Sequence, residues 1–222
     1  MKKKNGFITD VKARNETRGL TIDIKSTVLE DEDIFVRKLV IQNKEDHQRE
    51  LEIFSENNIM MHGNGVGDTA MYYPQQDSII HYKRNVYLLL NFYNQDFEYD
   101  TGSITIRDGL TNNPIAQGDV NSALSTKINL SPKGQKTLYM YIIAAEDIDE
   151  ICRKNERFDQ THPHSQIKKR RNQAQQFLRR TDVNRDLLTE EQEELFNLSL
   201  SMVKAHYDKD GAIIASNDSD NM

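Results

Sequence analysis

The chain has no tryptophan, a single cysteine and no long apolar run, and each shortage closes off a class of protein. Cys152 alone cannot build an internal disulfide framework and suits a reducing compartment. No stretch approaches the roughly 20 apolar residues of a membrane span. Lys2, Lys3 and Lys4 imitate the charged start of a secretory leader, but the polar Asn5-Gly6 and Asp10-Val11-Lys12 supply no hydrophobic segment after it. The expectation is a cytoplasmic protein with no membrane partner. A basic excess is missing too: a net charge of -6 and a pI near 5.6 leave no electrostatic footprint for nucleic acid. Apolar content of 36% and a mean hydropathy of -0.75 are low for a self-sufficient globular domain. The 222 residues have room for one large domain, or for a domain of about 150 residues with an appended piece.

What is present is a long run of strand patterns followed by helical ones. Residues 20–24 alternate with period two, so Leu20, Ile22 and Ile24 share one face. Further strands are predicted over 34–41, 50–54, 70–73, 78–83, 86–92, 103–107, 123–130 and 137–145. Short strands about every 10 residues with polar turns between them predict an antiparallel β-sandwich, not βαβ units. Ser131-Pro132-Lys133-Gly134-Gln135 reads as a turn, with Pro pre-setting one dihedral and Gly accepting a positive one.

After Ala145 the period changes. Helices are predicted over 147–158 and 165–180, with His162-Pro163-His164 breaking the chain between them. A third begins at Thr189, which caps it with Gln192 in capping-box spacing, and Glu190 and Glu191 suit the positive end of its dipole. Leu195, Leu198, Met202 and His206 form one stripe that Phe196, Leu200 and Val203 widen. A stripe this broad requires burial against other helices. Too few amphipathic partners are present to cover it, so part of this face is expected to lack cover within the chain. No internal repeat or low-complexity linker is found, and the boundary between strands and helices is placed between Ala145 and Ser165.

Several short motifs imitate functional sites. Asp182, Asn184, Asp186 and Glu193 match ligand positions of a calcium-binding EF-hand, but Leu187 stands where the sharp turn needs Gly. A capped interhelix turn is the preferred reading. Asp208-Lys209-Asp210-Gly211 is a poorer version, with His206 and Asn217 at its ends. Gly63-Asn64-Gly65-Val66-Gly67-Asp68 looks like a phosphate cradle but lacks the Lys-Ser/Thr of a P-loop and a following helix, so it reads as an inter-strand loop. His162 and His164 have no third ligand near them in sequence. Lys168, Lys169, Arg170, Arg171, Arg179 and Arg180 spread around a helix surface as a solvated face. Glu190, Glu191, Glu193 and Glu194 contain i, i+3 pairs that imitate a catalytic dyad, with nothing apolar placed to raise one pKa. Cys152 lacks a base partner and reads as structural.

Five stretches carry a family resemblance. They are Ile34-Phe35-Val36-Arg37, Gly67-Asp68-Thr69-Ala70-Met71-Tyr72-Tyr73-Pro74, Ile80-His81-Tyr82-Lys83-Arg84, Asn113-Pro114-Ile115-Ala116-Gln117-Gly118 and Gly211-Ala212-Ile213-Ile214-Ala215-Ser216-Asn217-Asp218-Ser219-Asp220. In this order they resemble the N-terminal sandwich and the opening of the catalytic domain in bacterial and archaeal members of glycoside hydrolase family 15, the glucoamylase family. The resemblance implies a mainly β protein: a β-sandwich (super-sandwich) over 1–145, a helical linker over 146–188, and from 189 to 222 the first helix of an (α/α)6 barrel, cut short. It also implies that opening strands of the family's sandwich are missing, leaving a sheet edge exposed. The family's Trp and longer acidic turn near Thr105-Ile106-Arg107-Asp108-Gly109 are lost as well.

Family members hydrolyse an α-glucosidic bond with inversion. One carboxylic acid protonates the leaving oxygen and another activates water across a gap of about 6.5–9.5 Å. Both groups belong to the barrel, so no catalytic, cofactor or metal residue is carried over to this chain. The implied partners are a catalytic domain in cis and, for the whole enzyme, an α-glucan or oligosaccharide. Two other functions are weighed. A stand-alone carbohydrate-binding module would have to use Tyr72, Tyr73, Tyr82 and Tyr87 in place of tryptophan. A calcium-dependent interaction protein would have to use the 182–193 loop.

Overall fold

A computed structural model describes residues 7–30, 32–64, 66–102, 109–180, 187–207 and 211–213. Among these lie eleven strands and three helices: β1 (Thr9–Asn15), β2 (Leu20–Val28), β3 (Ile34–Asn43), β4 (Arg49–Asn58), β5 (Asp68–Tyr73), β6 (Ser78–Lys83), β7 (Val86–Phe92), β8 (Glu98–Gly102), β9 (Ile115–Gly118), β10 (Asn121–Leu130), β11 (Gln135–Ala145), α1 (Ile148–Asp159), α2 (Pro163–Arg180) and α3 (Glu190–Ala205). Eight strands form one antiparallel sheet in the order β1-β2-β3-β11-β7-β6-β5-β9, and β4-β10-β8 form a second. The mainly β sandwich followed by helices agrees with the sequence reading.

The layers follow from alternation. Along β7 and β11, Leu90, Phe92 and Met140 meet Leu124 of β10 between the two sheets. Ile41 and Leu138 meet Ile128 and Leu130 there as well. The intervening residues Leu89, Tyr139, Tyr141, Ile143 and Ala145 face the opposite way and pack with Ile151 and Phe158 of α1 and Ile167 of α2. The large sheet is thus covered on both faces at its centre, which is why most of β7 and residues 138–145 of β11 read as near-continuous apolar runs.

The edge strand β1 shows the opposite composition. All seven of its residues are exposed, and its charges pair across to β2, Lys12 with Asp23 at 3.4 Å and Asp10 with Lys25 at 3.2 Å. Charges of this kind discourage pairing with another chain at an open edge. The turn into β2 depends on Gly19, whose φ is +57° and where an added Cβ would stand 2.1 Å from Glu45 Oε1.

α1 starts at Asp147, whose carboxylate accepts from Glu150 N at 2.7 Å, and buries Ile151, Asn155 and Phe158 at i, i+4 and i+7. Tyr141 OH donates to Asn155 Oδ1 at 2.8 Å, fixing the helix to the sheet. α2 differs from expectation at its start. The break between the two helices falls at 160–162, and Pro163 is already the first residue of α2 and is buried, a position where its missing N–H costs nothing. No helix among the described residues is long and apolar enough to cross a membrane.

Candidate functional site

α3 begins as the sequence dictates, with both bonds of the Thr189–Gln192 capping box formed, at 2.9 and 3.3 Å. It lies against α2 and half-buries Phe196 and Leu200 of the widened stripe, but the rest of the apolar stripe is not on the side it buries. Ser201 is its buried residue, and its hydroxyl donates to Asn197 O at 2.8 Å. Leu195 is 65% exposed, Leu198 42%, Met202 56% and Val203 47%. Tyr207 bridges to Ile213 just beyond the helix, and both extend the exposed surface. These exposed apolar side chains, spaced three and four apart, form an outward apolar stripe on the helix.

A second concentration of chemistry-bearing residues is internal. Lys83 and Asp68 sit one position beyond the Thr69–Tyr82 pair of the β5–β6 hairpin, with side chains 7% and 1% exposed and 3.1 Å between Lys83 Nζ and Asp68 Oδ1. That oxygen has ion-pair contact without hydrogen-bond geometry; Oδ2 accepts weakly from Met61 N at 3.4 Å. The ammonium donates to Met61 O at 2.9 Å, Asn64 O at 2.6 Å and Asn64 Oδ1 at 3.0 Å. Lys83 therefore ties down the loop that the sequence offered as a phosphate cradle, and its acceptors are backbone and side-chain oxygens. Beside it, His81 Nε2 lies 2.8 Å from Ser122 Oγ of β10, joining the two sheets. Both residues are fully buried. Burial lowers the His81 pKa to about 4 against a smaller opposing pull from Asp68. A neutral histidine beside a serine is the raw material of nucleophilic catalysis, but neither group can be reached, so this is a structural rivet. The sequence signal was available: His81 and Lys83 fall at alternate positions of an otherwise apolar strand.

The other sequence candidates are dispersed. Tyr72 stacks on Tyr99 at 4.3 Å on the inter-sheet side, and its OH donates to Asp77 Oδ1 at 2.7 Å. That bond, more than burial, raises its pKa to about 12. Tyr73, Tyr82 and Tyr87 lie on the other face of the large sheet, with Tyr82 and Tyr87 stacked at 5.5 Å. The four tyrosines thus form no common platform for sugar rings. His162 sits edge-on to Tyr93 and Tyr139 at 5.5 and 5.4 Å. Among the described residues no group of three His, Cys, Asp or Glu is placed to hold a metal ion. Burial pushes the Cys152 thiol up, away from the reactive thiolate. Glu190 and Glu191 are exposed at the start of α3. Asp182, Asn184 and Asp186, Asp208 and Asp210, Asn217, the 103–107 strand and the end of the C-terminal motif lie outside the described residues.

No protein-family model matches the chain, and no curated protein matches it in sequence. Solved structures do share its fold. A bacterial glucoamylase complexed with acarbose superposes with a TM-score of 0.70 at 11% identity, over 90% of this chain and 30% of that one. A family GH92 inverting mannosidase from Bacteroides thetaiotaomicron does so with a TM-score of 0.58 at 16% identity, over 93% of this chain and 27% of that one. The chain therefore spans less than a third of the length of either enzyme, and its sandwich-then-helix architecture is of the kind found in glycoside hydrolases.

Proposed function

We propose that this chain is the N-terminal, non-catalytic part of a glucoamylase-like glycoside hydrolase. In this reading residues 1–145 are the supporting sandwich, 146–188 a helical linker, and 189 onward the first helix of an (α/α)6 catalytic domain. The whole enzyme hydrolyses α-glucosidic bonds in glucans or oligosaccharides with inversion, in the cytoplasm. The acid and base carboxylates are supplied by the barrel. The present residues hold the barrel in place and help to shape its substrate entrance, and by themselves catalyse nothing.

The observation that carries the reading is the outward apolar stripe of α3. A helix that turns Ser201, Phe196 and Leu200 inward while Leu195, Leu198 and Met202 stay exposed is arranged to receive another helix on that outer side. The likeness of fold to a bacterial glucoamylase supports the identity of that neighbour.

The test is the mass of the native product, read by immunodetection or by mass spectrometry of peptides from its source cells. Peptides of this chain are expected in a species several-fold larger than 25.8 kDa. Peptides confined to a 25.8 kDa species would overturn the assignment in cis.

A further inference from the structure

Where β1, β2 and β3 lie side by side, the face of the large sheet that α1 and α2 cover at its centre carries a cavity of about 510 Å³ that no helix residue lines. The volume falls within the roughly 300–1,000 Å³ of small-molecule sites. Its floor is Thr21 and Asp23 of β2 with Gln42 of β3, all half-buried. Lys12 and Arg14 of β1, with Glu16 in the turn after it, line one side; Lys44 and Glu45, just after β3, line the other.

Both sides are fixed in advance. In the β1–β2 turn, Arg18 N donates to Asn15 Oδ1 at 3.0 Å and Gly19 N to Glu16 O at 3.1 Å. Lys44 N donates to Gly19 O at 2.7 Å, tying that turn to the opposite side. There the buried Asn43 accepts from Glu45 N at 3.0 Å and donates to Ser131 O at 3.1 Å, while Lys133 N donates to Glu45 O at 3.0 Å. The Glu45 carboxylate lies across Gly19, in the space a Cβ would fill. On the floor, Gln42 accepts from Lys44 Nζ at 2.7 Å and donates to Gln135 at 3.2 Å. A cavity held in this way loses little freedom when a ligand enters.

The lining decides the ligand. Three cations (Lys12, Arg14 and Lys44) face three carboxylates (Glu16, Asp23 and Glu45), so the cavity is neutral as a whole and favours an ion of neither sign. Asp23 Oδ1 is buried and accepts no hydrogen bond among the described residues. Lys12 Nζ, 3.4 Å away, gives it charge without hydrogen-bond geometry. This oxygen therefore calls for a hydrogen and not for a second cation, and a hydroxyl supplies one while accepting from a cation in turn. We propose that the cavity binds a neutral polyhydroxylated ligand, a mono- or disaccharide, with one hydroxyl donating to Asp23 Oδ1 and accepting from Lys12. No aromatic side chain is among the lining residues, so ring stacking adds nothing and the complex is weaker than about 1 mM. The site uses no residue of α3 and stands apart from the glycoside-hydrolase reading.

The test is a titration of the full chain with glucose and with maltose, followed through its backbone amide signals in NMR. Saturable shifts confined to residues 12–23 and 42–45 are expected, and the tighter of the two sugars sets the size of the ligand. Added sodium chloride should change the affinity less than about twofold, because the ligand is uncharged. Asp23→Ala and Lys12→Met should each weaken binding about tenfold, the worth of one charge-assisted hydrogen bond. Lys12→Met alters only an exposed side chain of β1, so loss of folding cannot mimic its effect. Tyr82→Phe, outside the cavity, should leave binding intact. Shifts that never saturate, that scatter over the surface, or that survive either cavity variant overturn the proposal.

Discussion

Replacing Lys83 by methionine is the sharpest test of how the sandwich is held at its β5–β6 end. The variant keeps the length of the side chain and removes the ammonium from a carboxylate that is 1% exposed. Deleting one partner of a buried pair costs about 3–5 kcal/mol, because the other charge stays behind uncompensated. The carbonyls of Met61 and Asn64 lose their donor as well, though Asn64 is near enough to the surface for water to replace it. Taking about 4 kcal/mol for the whole, a chain of this size should lose about 8–16 °C in Tm. Asp68→Asn should be milder, since Lys83 retains the acceptors on Met61 and Asn64. The double variant Lys83→Met, Asp68→Asn should recover part of the loss, because no charge is then left buried. Urea unfolding with linear extrapolation gives all three values. The reasoning is refuted if Lys83→Met lies within about 1 kcal/mol of the parent, or if the two single effects simply add.

Three further outcomes follow from the same interior and its surface. His81 stays neutral down to about pH 4, whereas in the unfolded chain it takes up a proton near 6.5. Stability contributed by its neutral burial is therefore complete above about 6.5 and is lost as pH falls towards 4, by about 2 kcal/mol at pH 5; equal losses between pH 7 and 5 in the parent and in His81→Gln would contradict this. Tyr141→Phe leaves the buried Asn155 Oδ1 without its donor and should cost about 1–3 kcal/mol in urea unfolding, with no loss at all counting against Asn155 as the anchor of α1. Calorimetric titration with maltooligosaccharides should show no binding tighter than about 1 mM, because Tyr72 lies on one face of the sheet and Tyr73, Tyr82 and Tyr87 on the other; a micromolar complex would favour a stand-alone binding module.

Much of the fold was legible where burial imposes a pattern. β6 and β7 fall where the sequence put them, and α3 starts at its capping box. β1 was missed because its residues are all exposed and most are polar or charged, so no apolar period marks it; pairing with β2 makes it a strand. β8 and β9 were missed because Glu98–Gly102 and Ile115–Gly118 are short and polar, and sheet neighbours define them. The exposure of α3's stripe was half-legible: the excess of apolar positions could be counted, but which side the helix would bury could not. The Asp68–Lys83 pair depends on strand register, which no single segment encodes.

The central claim, that the stripe of α3 is a seam for a helical catalytic domain, is tested most directly by methionine oxidation. Met202 on the stripe and Met60 in the loop after β4 are 56% and 59% exposed, so in the isolated chain they should oxidise at similar rates. In the native-length protein Met202 should become strongly protected while Met60 remains reactive. Met202 oxidising as fast in the native protein as in the isolated chain would contradict the account.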